Sequence, residues 1–426
     1  MQNVTGKKPG GTSVSHRIAI LIPYFGTVPW YFKFFNRSCQ YNPDIDFIFL
    51  TDVDWPEDLA ENIIVFRCSL REISQRFTEK FGFEINIVRP YKLCDLRPAF
   101  GLVFSDLIEG YDFWGYGDID VVLGNIRSLI TVDILNRHEI VTIRKTYIAG
   151  FFSLFRNNDK INNLFRKSKD YRKVFQEPVD YCFDECNWEW GSVQGGKDIL
   201  ELDSVIDSIT HVIRNEERTG NISVYWHDME VHPGRVVWDR GNLSSKDNET
   251  PLLCHFNTLT NLDYVYVPKW KTIPDRFYIN SFYLSRYAPR SLAGLFLHCV
   301  LTTVRFVKRK LTVLNQYLQW LFDYLFASRR IDHNDVQHLT NLPGQYRFQQ
   351  VVVNLFIRDR CLHGTVDDVP FRLLHKGAGK FVVAKYRFMD LFNVEMDIHF
   401  NEFISAHTIQ ATSSGYLKKY IFFKIS

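Results

Sequence analysis

The first part of the chain alternates short apolar runs with segments of helical periodicity. The apolar runs at residues 18–22, 47–50 and 63–66 are continuous, with no alternation between apolar and polar residues. Continuous runs of this length are typical of strands that are buried on both faces. Segments with helical spacing follow them, at 70–81 and 90–108. The alternation predicts a mostly parallel sheet that is flanked by helices.

Ligands of such sheets bind beyond the carboxyl ends of the strands. Pro23 follows the first apolar run, Asp52 ends the second, and Asp118 falls within a later strand segment at 111–123. The sequence therefore predicts a functional site at this edge of the sheet.

The pattern changes near residue 290, and 426 residues exceed the ~250–300 at which one core usually stops growing. The polar residues 1–16 predict a disordered lead-in, and 17–288 predict an α/β catalytic domain. Residues 289–335 carry apolar positions at helical spacing, and 336–426 read as short alternating strands. We therefore expect an amphipathic helical segment followed by a small β-rich module.

Net charge and the cysteine pattern indicate which partners are disfavoured and which cellular compartment is expected. The net charge of +3, from 51 basic and 48 acidic residues, gives no field that would favour nucleic acid. The eight cysteines include no CxxC pair and read as reduced thiols. No stretch reaches the ~18–20 apolar residues of a membrane span, and no signal-type run opens the chain. These features predict a cytoplasmic protein.

The most informative stretch is the pair of acids Asp118 and Asp120. In an extended segment alternate residues point the same way, so the two carboxylates are expected to converge on one cation. Mg²⁺ and Mn²⁺ prefer such oxygens and leave positions open for phosphate. Gly115 and Gly117 precede the acids and would let a nucleotide approach the backbone. Asp-x-Asp alone is a common pattern, so its place at a strand end is what supports a Mn²⁺ or Mg²⁺ site.

Two segments carry a family resemblance: Pro-Tyr-Lys-Leu-Cys-Asp-Leu-Arg-Pro-Ala-Phe at 90–100 and Tyr-Asp-Phe-Trp-Gly-Tyr-Gly-Asp-Ile-Asp at 111–120. They resemble a family of bacterial glycosyltransferases from surface-polysaccharide gene sets, which have the GT-A nucleotide-diphospho-sugar transferase fold. More distantly they are similar to LgtC-like galactosyltransferases, in which a basic helix precedes a strand ending in a DXD motif. The resemblance covers roughly 17–285 and is specific around 90–124.

The resemblance implies a GT-A-like catalytic domain over 17–288 and a metal-dependent transferase of the hexosyltransferase type. Its donor would be a nucleotide-diphospho-sugar. Its acceptor would be a glycan or a lipid-linked carrier in surface-polysaccharide synthesis.

The resemblance also assigns donor-binding roles to several residues. These are Pro23 and Tyr24 near the base, Asp52 on the base or ribose, Lys92 and Arg97 facing the diphosphate, and Gly117 with Asp118 at the metal. Lys92 and Arg97 would lie about 140° apart on a regular helix, so both cannot face one ligand, and we favour Lys92. As alternatives, Tyr24 is a core aromatic residue of a turn, and Asp52 is a helix N-cap.

A third metal ligand is implied at His255, where an apolar strand runs into a histidine followed by an aromatic residue. An alternative metal site is the cluster His227, Asp228, Glu230 and His232, although its spacing matches no defined ligand set.

Asp184 and Glu185 are the candidate catalytic acids, since an inverting transfer needs a carboxylate to take the acceptor's hydroxyl proton. The alternative is an ordinary solvated helix start. Nearby, Trp188 and Trp190 either stack on a sugar ring or cap the core. The carboxamide near the anomeric carbon of LgtC-like enzymes has no clear equivalent, so retention and inversion both stay open.

Residues 291–328 predict an amphipathic helix that contacts the inner face of the plasma membrane peripherally. The expected apolar side is Leu292, Leu295, Phe296, Leu301, Phe306 and Leu318, and the expected lipid-binding cations are Arg305, Lys308, Arg309 and Lys310. The alternative is a helix that docks on the core or joins two subunits. The β-rich module either binds glycan or mediates assembly.

Two other functions fit parts of the sequence. A haloacid-dehalogenase-type phosphatase would use Asp118 as its nucleophile, but that fold places the motif strand early in the chain. A non-catalytic glycan-binding or scaffold protein could retain the same fold without activity.

Overall fold

A computed structural model describes residues 15–56, 58–245, 250–262 and 264–326, together with the strands of the C-terminal part given below. The chain divides into two compact units, 1–258 with 267–289, and 259–266 with 290–426. Most of the predicted lead-in at 1–16 lies outside the described residues. His16 is described, and its ring is hydrogen-bonded to Asn136 at 2.8 Å.

The strands are numbered in chain order through both units. Up to residue 285 they are β1 (Ile18–Pro23), β2 (Ile45–Thr51), β3 (Ile63–Arg67), β4 (Phe113–Gly117), β5 (Val121–Leu123), β6 (Ile140–Thr142), β7 (Phe152–Arg156), β8 (Val224–Trp226), β9 (Glu230–Val231), β10 (Val236–Asp239), β11 (Asn242–Ser244), β12 (Leu253–His255), β13 (Arg276–Ile279) and β14 (Leu284–Ser285). The later strands are β15 (Gly344–Phe348), β16 (Val351–Arg358), β17 (Cys361–Val366), β18 (Val369–His375), β19 (Phe381–Ala384), β20 (Ile398–Ser405), β21 (Thr408–Ser413) and β22 (Lys419–Lys424).

Most helices are short, and 3₁₀ turns lie between some of them. The α-helices are α1 (Phe32–Cys39), α2 (Leu70–Phe81), α3 (Leu93–Leu96), α4 (Phe100–Val103), α5 (Ile126–Leu129), α6 (Val132–Arg137), α7 (Asp159–Asn162), α8 (Tyr171–Gln176), α9 (Trp190–Gln194), α10 (Ile209–Arg218), α11 (Asn257–Thr260) and α12 (Leu292–Phe326). The 3₁₀ turns are Pro90–Lys92, Arg97–Ala99, Leu164–Lys167 and Ile199–Glu201.

The main sheet of the first unit has the strand order β3-β2-β1-β4-β7-β6-β8. Its pairs are parallel except on either side of β7, which runs antiparallel to both β4 and β6. The expected architecture, a mostly parallel sheet flanked by helices, is therefore confirmed. The strands β1 and β2 are almost wholly buried, as their continuous apolar sequences require.

The helix predicted over 70–81 is confirmed as α2, and its ends follow from local chemistry. The Ser69 hydroxyl accepts from the Glu72 amide at 3.2 Å, and the Glu72 carboxylate accepts from the Ser69 amide at 2.7 Å. This reciprocal pair satisfies two amides that a helix start leaves open. Gly82 ends the helix with φ 70°, a left-handed conformation that favours glycine.

The regular helix predicted over 90–108 is wrong. The segment instead alternates two 3₁₀ turns with α3 and α4, and the last helical residue is Val103. Proline lacks an amide hydrogen and clashes with the preceding turn, so Pro98 interrupts the helical hydrogen bonds. The angular argument that favoured Lys92 over Arg97 assumed a regular helix and therefore fails.

Two smaller sheets complete the first unit, with strand orders β5-β12-β9 and β11-β10-β13-β14. The chain leaves the main sheet at the end of β4 and enters the first of these sheets at β5. Only residues 118–120 separate the two strands.

The second unit contains the long helix α12 and an eight-stranded antiparallel sheet of order β19-β18-β17-β16-β15-β22-β21-β20. No helix of the described residues is long and apolar enough to cross a bilayer. The domain boundaries expected at 288 and 335 stay predictions.

Helix α12 exposes large apolar side chains at spacings of three and four residues, which places them on one side. They are Leu292, Leu295, Phe296, Val300, Val304, Phe306, Val307 and Leu311. Leu301 was expected among them but is only 5% exposed, which corrects that assignment. The side chains of Arg309 and Leu318 lie outside the described set.

Candidate functional site

The two motif acids lie in the bend that joins β4 to β5. Residues 118–120 are not part of either strand, so the extended geometry expected for them is wrong. The bend is fixed at both ends, because the Asp118 amide donates to the Phe151 carbonyl at 3.2 Å and the Phe256 amide donates to the Asp120 carbonyl at 2.7 Å. The carboxylates still approach each other, through the bend and not through strand alternation.

His255 is placed beside these acids by strand register. It ends β12, which runs antiparallel to β5 with His255 opposite Val121. Its Nε2 lies 3.4 Å from the Asp120 Oδ1, and its ring packs against Phe151 at 4.6 Å between centroids. A residue 135 positions further along the chain thus meets the motif because two strands pair.

One ligand atom each from Asp118, Asp120 and His255 lies within 4.8 Å of the others. Two carboxylates and one imidazole suit a divalent cation such as Mn²⁺, so the donor set fits a metal. Among the described residues, the rival cluster of histidines and acids at 227–232 forms no such group.

The rival cluster separates into other contacts. The Asp228 carboxylate lies 3.6 Å from the Lys145 ammonium, and His227 is an exposed residue whose ring stacks on Tyr225. The His232 ring nitrogen lies 3.6 Å from the Glu230 carboxylate. The metal site proposed for these four residues is therefore wrong, although Glu230 has a different part in the site.

Sequence reasoning missed Glu230 as the partner of His255. Its side chain is 1% exposed, its Oε1 lies 3.0 Å from the His255 Nδ1, and it also accepts from the Arg144 guanidinium. A carboxylate only accepts, so Nδ1 donates and Nε2 is directed at Asp120. The one available signal was that β9 could pair with β12, which does place Glu230 opposite Leu253.

Charge governs the protonation of His255. Burial disfavours the imidazolium, but hydrogen bonds to Asp120 and Glu230 outweigh burial and raise the pKa of His255 to about 10. Without a metal the ring therefore carries two protons at neutral pH. A metal ligand must be deprotonated at its donor nitrogen, so cation binding here is coupled to proton release.

Arg97 bridges the acids of the site. One guanidinium nitrogen donates to Asp118 and the other donates to Asp184 at 2.8 Å. Burial raises the pKa of Asp118, and Arg97 opposes that effect more strongly than Asp120 adds to it. Arg97 thus joins the motif acids to the carboxylate pair at 184–185.

Lys92 does not contact this cluster, which corrects the preference for Lys92 over Arg97. Its side chain is 0% exposed, and its ammonium donates to Asp95 at 2.8 Å and to the carbonyls of Val174 and Val179 at 2.7 and 2.6 Å. A buried, fully bonded ammonium is structural and cannot reach a diphosphate.

Asp184 and Glu185 lie together against the backbone of Gly150. The Gly150 amide donates to Glu185 at 2.7 Å, and the Trp190 indole donates to the other Glu185 oxygen at 2.6 Å. A Cβ on Gly150 would lie 2.6 Å from the Asp184 Oδ2 and 2.9 Å from the Arg97 guanidinium. Burial raises the pKa of both carboxyl groups.

Comparison with known proteins places the chain in a family. A family model matches residues 20–267, more than half of the chain, and it describes a family of unknown function, DUF6625. This chain belongs to the DUF6625 family. No curated protein sequence matches the chain.

The DUF6625 chain also has a distant structural likeness. A solved structure of the galactosyltransferase LgtC, in complex with donor and acceptor sugar analogues, matches it at 15% sequence identity and a TM-score of 0.26. The match covers 38% of this chain and 66% of that chain, slightly less than two thirds of its length. A likeness at this TM-score says nothing about what the DUF6625 chain binds.

The residues of the DUF6625 chain that were predicted to bind the donor differ in their surroundings. Pro23 ends β1, and Tyr24 follows it with its hydroxyl on the Thr27 carbonyl at 2.8 Å and its ring 5.4 Å from Trp55. Burial and then the charge of Asp120 raise the pKa of Tyr24. Asp52 is exposed beyond β2. It caps no helix, since α2 is capped by Ser69.

The glycines of the motif allow close packing within the main sheet. A Cβ on Gly115 would lie 2.4 Å from the Ser153 carbonyl, and one on Gly117 would lie 3.3 Å from the Phe151 carbonyl. Gly115 faces β7, and Gly117 faces Phe151 just before that strand. This corrects the expectation that the two glycines make room for a nucleotide.

Tyr31, just before α1, was also missed. Burial, then the charges of Asp120, Tyr24 and Asp118, raise the pKa of Tyr31. The phenol therefore favours its protonated form, which can donate a hydrogen bond.

Proposed function

We propose that this DUF6625 chain is a metal-dependent glycosyltransferase. It would move a hexosyl group from a nucleotide-diphospho-sugar to a hydroxyl of a glycan or lipid-linked acceptor in surface-polysaccharide synthesis. The observation that carries the proposal is the convergence of Asp118, Asp120 and His255 beyond the carboxyl end of β4, with Arg97 on one of these acids. The sequence resemblance around 90–124 to GT-A transferases supports the same function.

Asp118, Asp120 and His255 would hold Mn²⁺ or Mg²⁺, which supplies Lewis-acid neutralisation of a leaving diphosphate. Arg97 adds a second positive charge next to Asp118, fixed by its bond to Asp184. Its planar guanidinium suits phosphate oxygens, and its partly buried position reduces screening of that charge by solvent. Tyr31 would donate a hydrogen bond to the same oxygens.

The carboxylate pair Asp184 and Glu185 would remove the proton from the acceptor hydroxyl. In an inverting transfer the acceptor oxygen attacks the anomeric carbon, the bond to the diphosphate breaks, and the hydroxyl proton passes to a carboxylate. Asp184 is buried and holds Arg97, whereas Glu185 is only half-buried. We therefore assign the base to Glu185 and the positioning of Arg97 to Asp184.

The donor's nucleotide would lie along the ends of β1 and β2. Pro23 and Tyr24 would pack on the base, and the exposed Asp52 carboxylate would accept from a base or ribose group. Gly117 and Lys92 have no part in this donor site, because Gly117 packs against β7 and Lys92 is enclosed. The compartment proposed for this reaction is the cytoplasm, at the inner face of the plasma membrane through α12.

The phosphatase alternative would require Asp118 to attack a phosphorus atom. Three strands precede the motif strand β4 in this chain, whereas the phosphatase fold begins with it. Release of phosphate from a phosphomonoester, abolished by Asp118→Asn, would favour that alternative. Binding of glycan without any metal-dependent nucleotide binding would favour the non-catalytic alternative.

A thermal-shift screen of nucleotide-sugars with Mn²⁺ tests the proposal. A ligand that binds the folded state raises the apparent stability by mass action. We expect a Mn²⁺-dependent shift with one UDP- or GDP-sugar that is lost in Asp120→Ala. The matched control is Asp133→Ala, which removes an exposed acid paired with Arg137 on the surface of α6. A shift of equal size in Asp120→Ala would reject the metal assignment.

A further inference from the structure

The loop that carries the carboxylate pair contains three non-glycine residues in the left-handed region. They are Cys182, Asn187 and Trp188, with φ values of 52°, 52° and 66°. Asparagine tolerates this conformation, but a bulky aromatic residue rarely adopts it. Trp188 is therefore held in a disfavoured backbone conformation three residues after Glu185.

Hydrogen bonds around Asn187 impose this conformation. Its amide donates to the Cys182 carbonyl at 3.0 Å, and its side chain donates to the Tyr181 carbonyl at 2.8 Å. The side-chain oxygen accepts from the Val205 amide at 2.9 Å. Strain of this kind persists only where the surroundings determine it, and it concentrates at functional sites.

The two tryptophans of the loop differ in their surroundings. Trp190 packs against a small cluster that contains Tyr147 and Ile199, and its indole nitrogen is bonded to Glu185. Trp188 meets the Trp190 ring edge-on, at 5.2 Å and 82° between planes, and remains partly exposed. Both tryptophans are partly exposed. Trp190 supports the carboxylate through its indole nitrogen, and Trp188 lies against the Trp190 ring.

We propose that Trp188 is a stacking surface for the acceptor's pyranose ring, next to the carboxylate that takes the proton. The C–H face of a sugar packs on an indole, while its hydroxyl edge is left to bond with carboxylates such as Glu185. The inference rests on the proposed function only in naming the sugar as the acceptor. It selects a neutral hexopyranose as the ligand class, because an indole offers area and no charge.

Fluorine NMR of the full chain labelled with 5-fluorotryptophan tests this site. The probes are methyl glycosides of glucose, galactose, mannose and N-acetylglucosamine, without nucleotide. The Trp188 signal is assigned by its loss in Trp188→Phe. We expect at least one glycoside to move this signal in a saturable way, and to move the Trp190 signal less. Signals that stay in place with every glycoside would overturn the proposal.

Trp188→Gly separates binding from folding. Glycine adopts a positive φ without strain, which offsets part of the packing lost with the indole, so we expect the variant to stay folded. Saturation transfer from the protein to the bound glycoside should fall more than tenfold. Arg235→Gly is the matched control, since Arg235 has φ 60° and is exposed in another loop, and it should keep full saturation transfer. Unchanged transfer in a folded Trp188→Gly protein would refute the assignment.

The proposed transferase function and the proposed sugar site at Trp188 can be refuted independently. Glycoside binding that depends on Trp188, together with no Mn²⁺-dependent nucleotide-sugar binding, would refute the transferase and leave the sugar site standing. Nucleotide-sugar binding that needs Asp120, together with no glycoside binding at Trp188, would refute the sugar site alone.

Discussion

Replacing Glu230 by glutamine tests how the proposed metal site is held in place. Glu230 is buried between the His255 Nδ1 at 3.0 Å and the Arg144 guanidinium. Glutamine keeps the shape and one accepting oxygen but removes the charge that orients the ring. Loss of such a supporting carboxylate typically lowers metal affinity 10–100-fold, which is about 1.4–2.7 kcal/mol.

Calorimetric titration of Mn²⁺ into wild type and Glu230→Gln measures this difference directly. Glu216→Gln is the matched control, because Glu216 is also buried and paired, with Lys167, but lies on α10 outside the site. We expect both variants to lose stability and only Glu230→Gln to lose metal affinity. Wild-type affinity in a folded Glu230→Gln protein would show that Glu230 does not position His255.

Three further outcomes follow from the contacts described above. The pKa of His255 is about 10 against an ordinary 6.5, so its ion pairs stabilise the metal-free fold fully below about pH 6.5, and this contribution is lost as the pH rises through about 10. The melting temperature should therefore fall across that window, and His255→Asn should flatten the fall. Gly150→Ala places a Cβ 2.6 Å from Asp184, so kcat/KM should drop more than tenfold while circular dichroism stays native. Phe296 is 73% exposed on α12, and Phe296→Glu should weaken sedimentation with anionic vesicles roughly tenfold or more, with neutral vesicles as the control.

Local sequence was enough to predict that the two acids lie together, but it did not predict the bend in which they lie. Asp118 and Asp120 are one residue apart, so any compact path brings them close, and the incorrect assumption of a strand did no harm. His255 was implied by family resemblance, and its position depends on the pairing of β12 with β5. Such a pairing brings together residues that are far apart in the chain, and no local pattern encodes its register.

Sequence alone could not decide which of two chemically similar residues belongs to the site. Lys92 and Arg97 are both cations before the motif, and the choice between them depended on a regular helix that Pro98 prevents. Lys92 is enclosed by carbonyls from the segment at 174–179, a contact that its own neighbours in sequence do not reveal. Glu230 lay among histidines that resembled a metal site, so its actual partner 25 residues later was overlooked.

The charges of the site pair each motif acid with a cationic side chain. Asp118 is paired with Arg97, and Asp120 is paired with His255, so each acid has its own cationic partner. The two partners differ in kind, because imidazole can lose a proton near neutral pH once a cation binds, whereas guanidinium cannot. A metal would therefore replace the proton of His255 and leave Arg97 charged. In the proposed transferase, this fixed positive charge would lie beside the metal and stabilise a leaving diphosphate, which carries several negative charges.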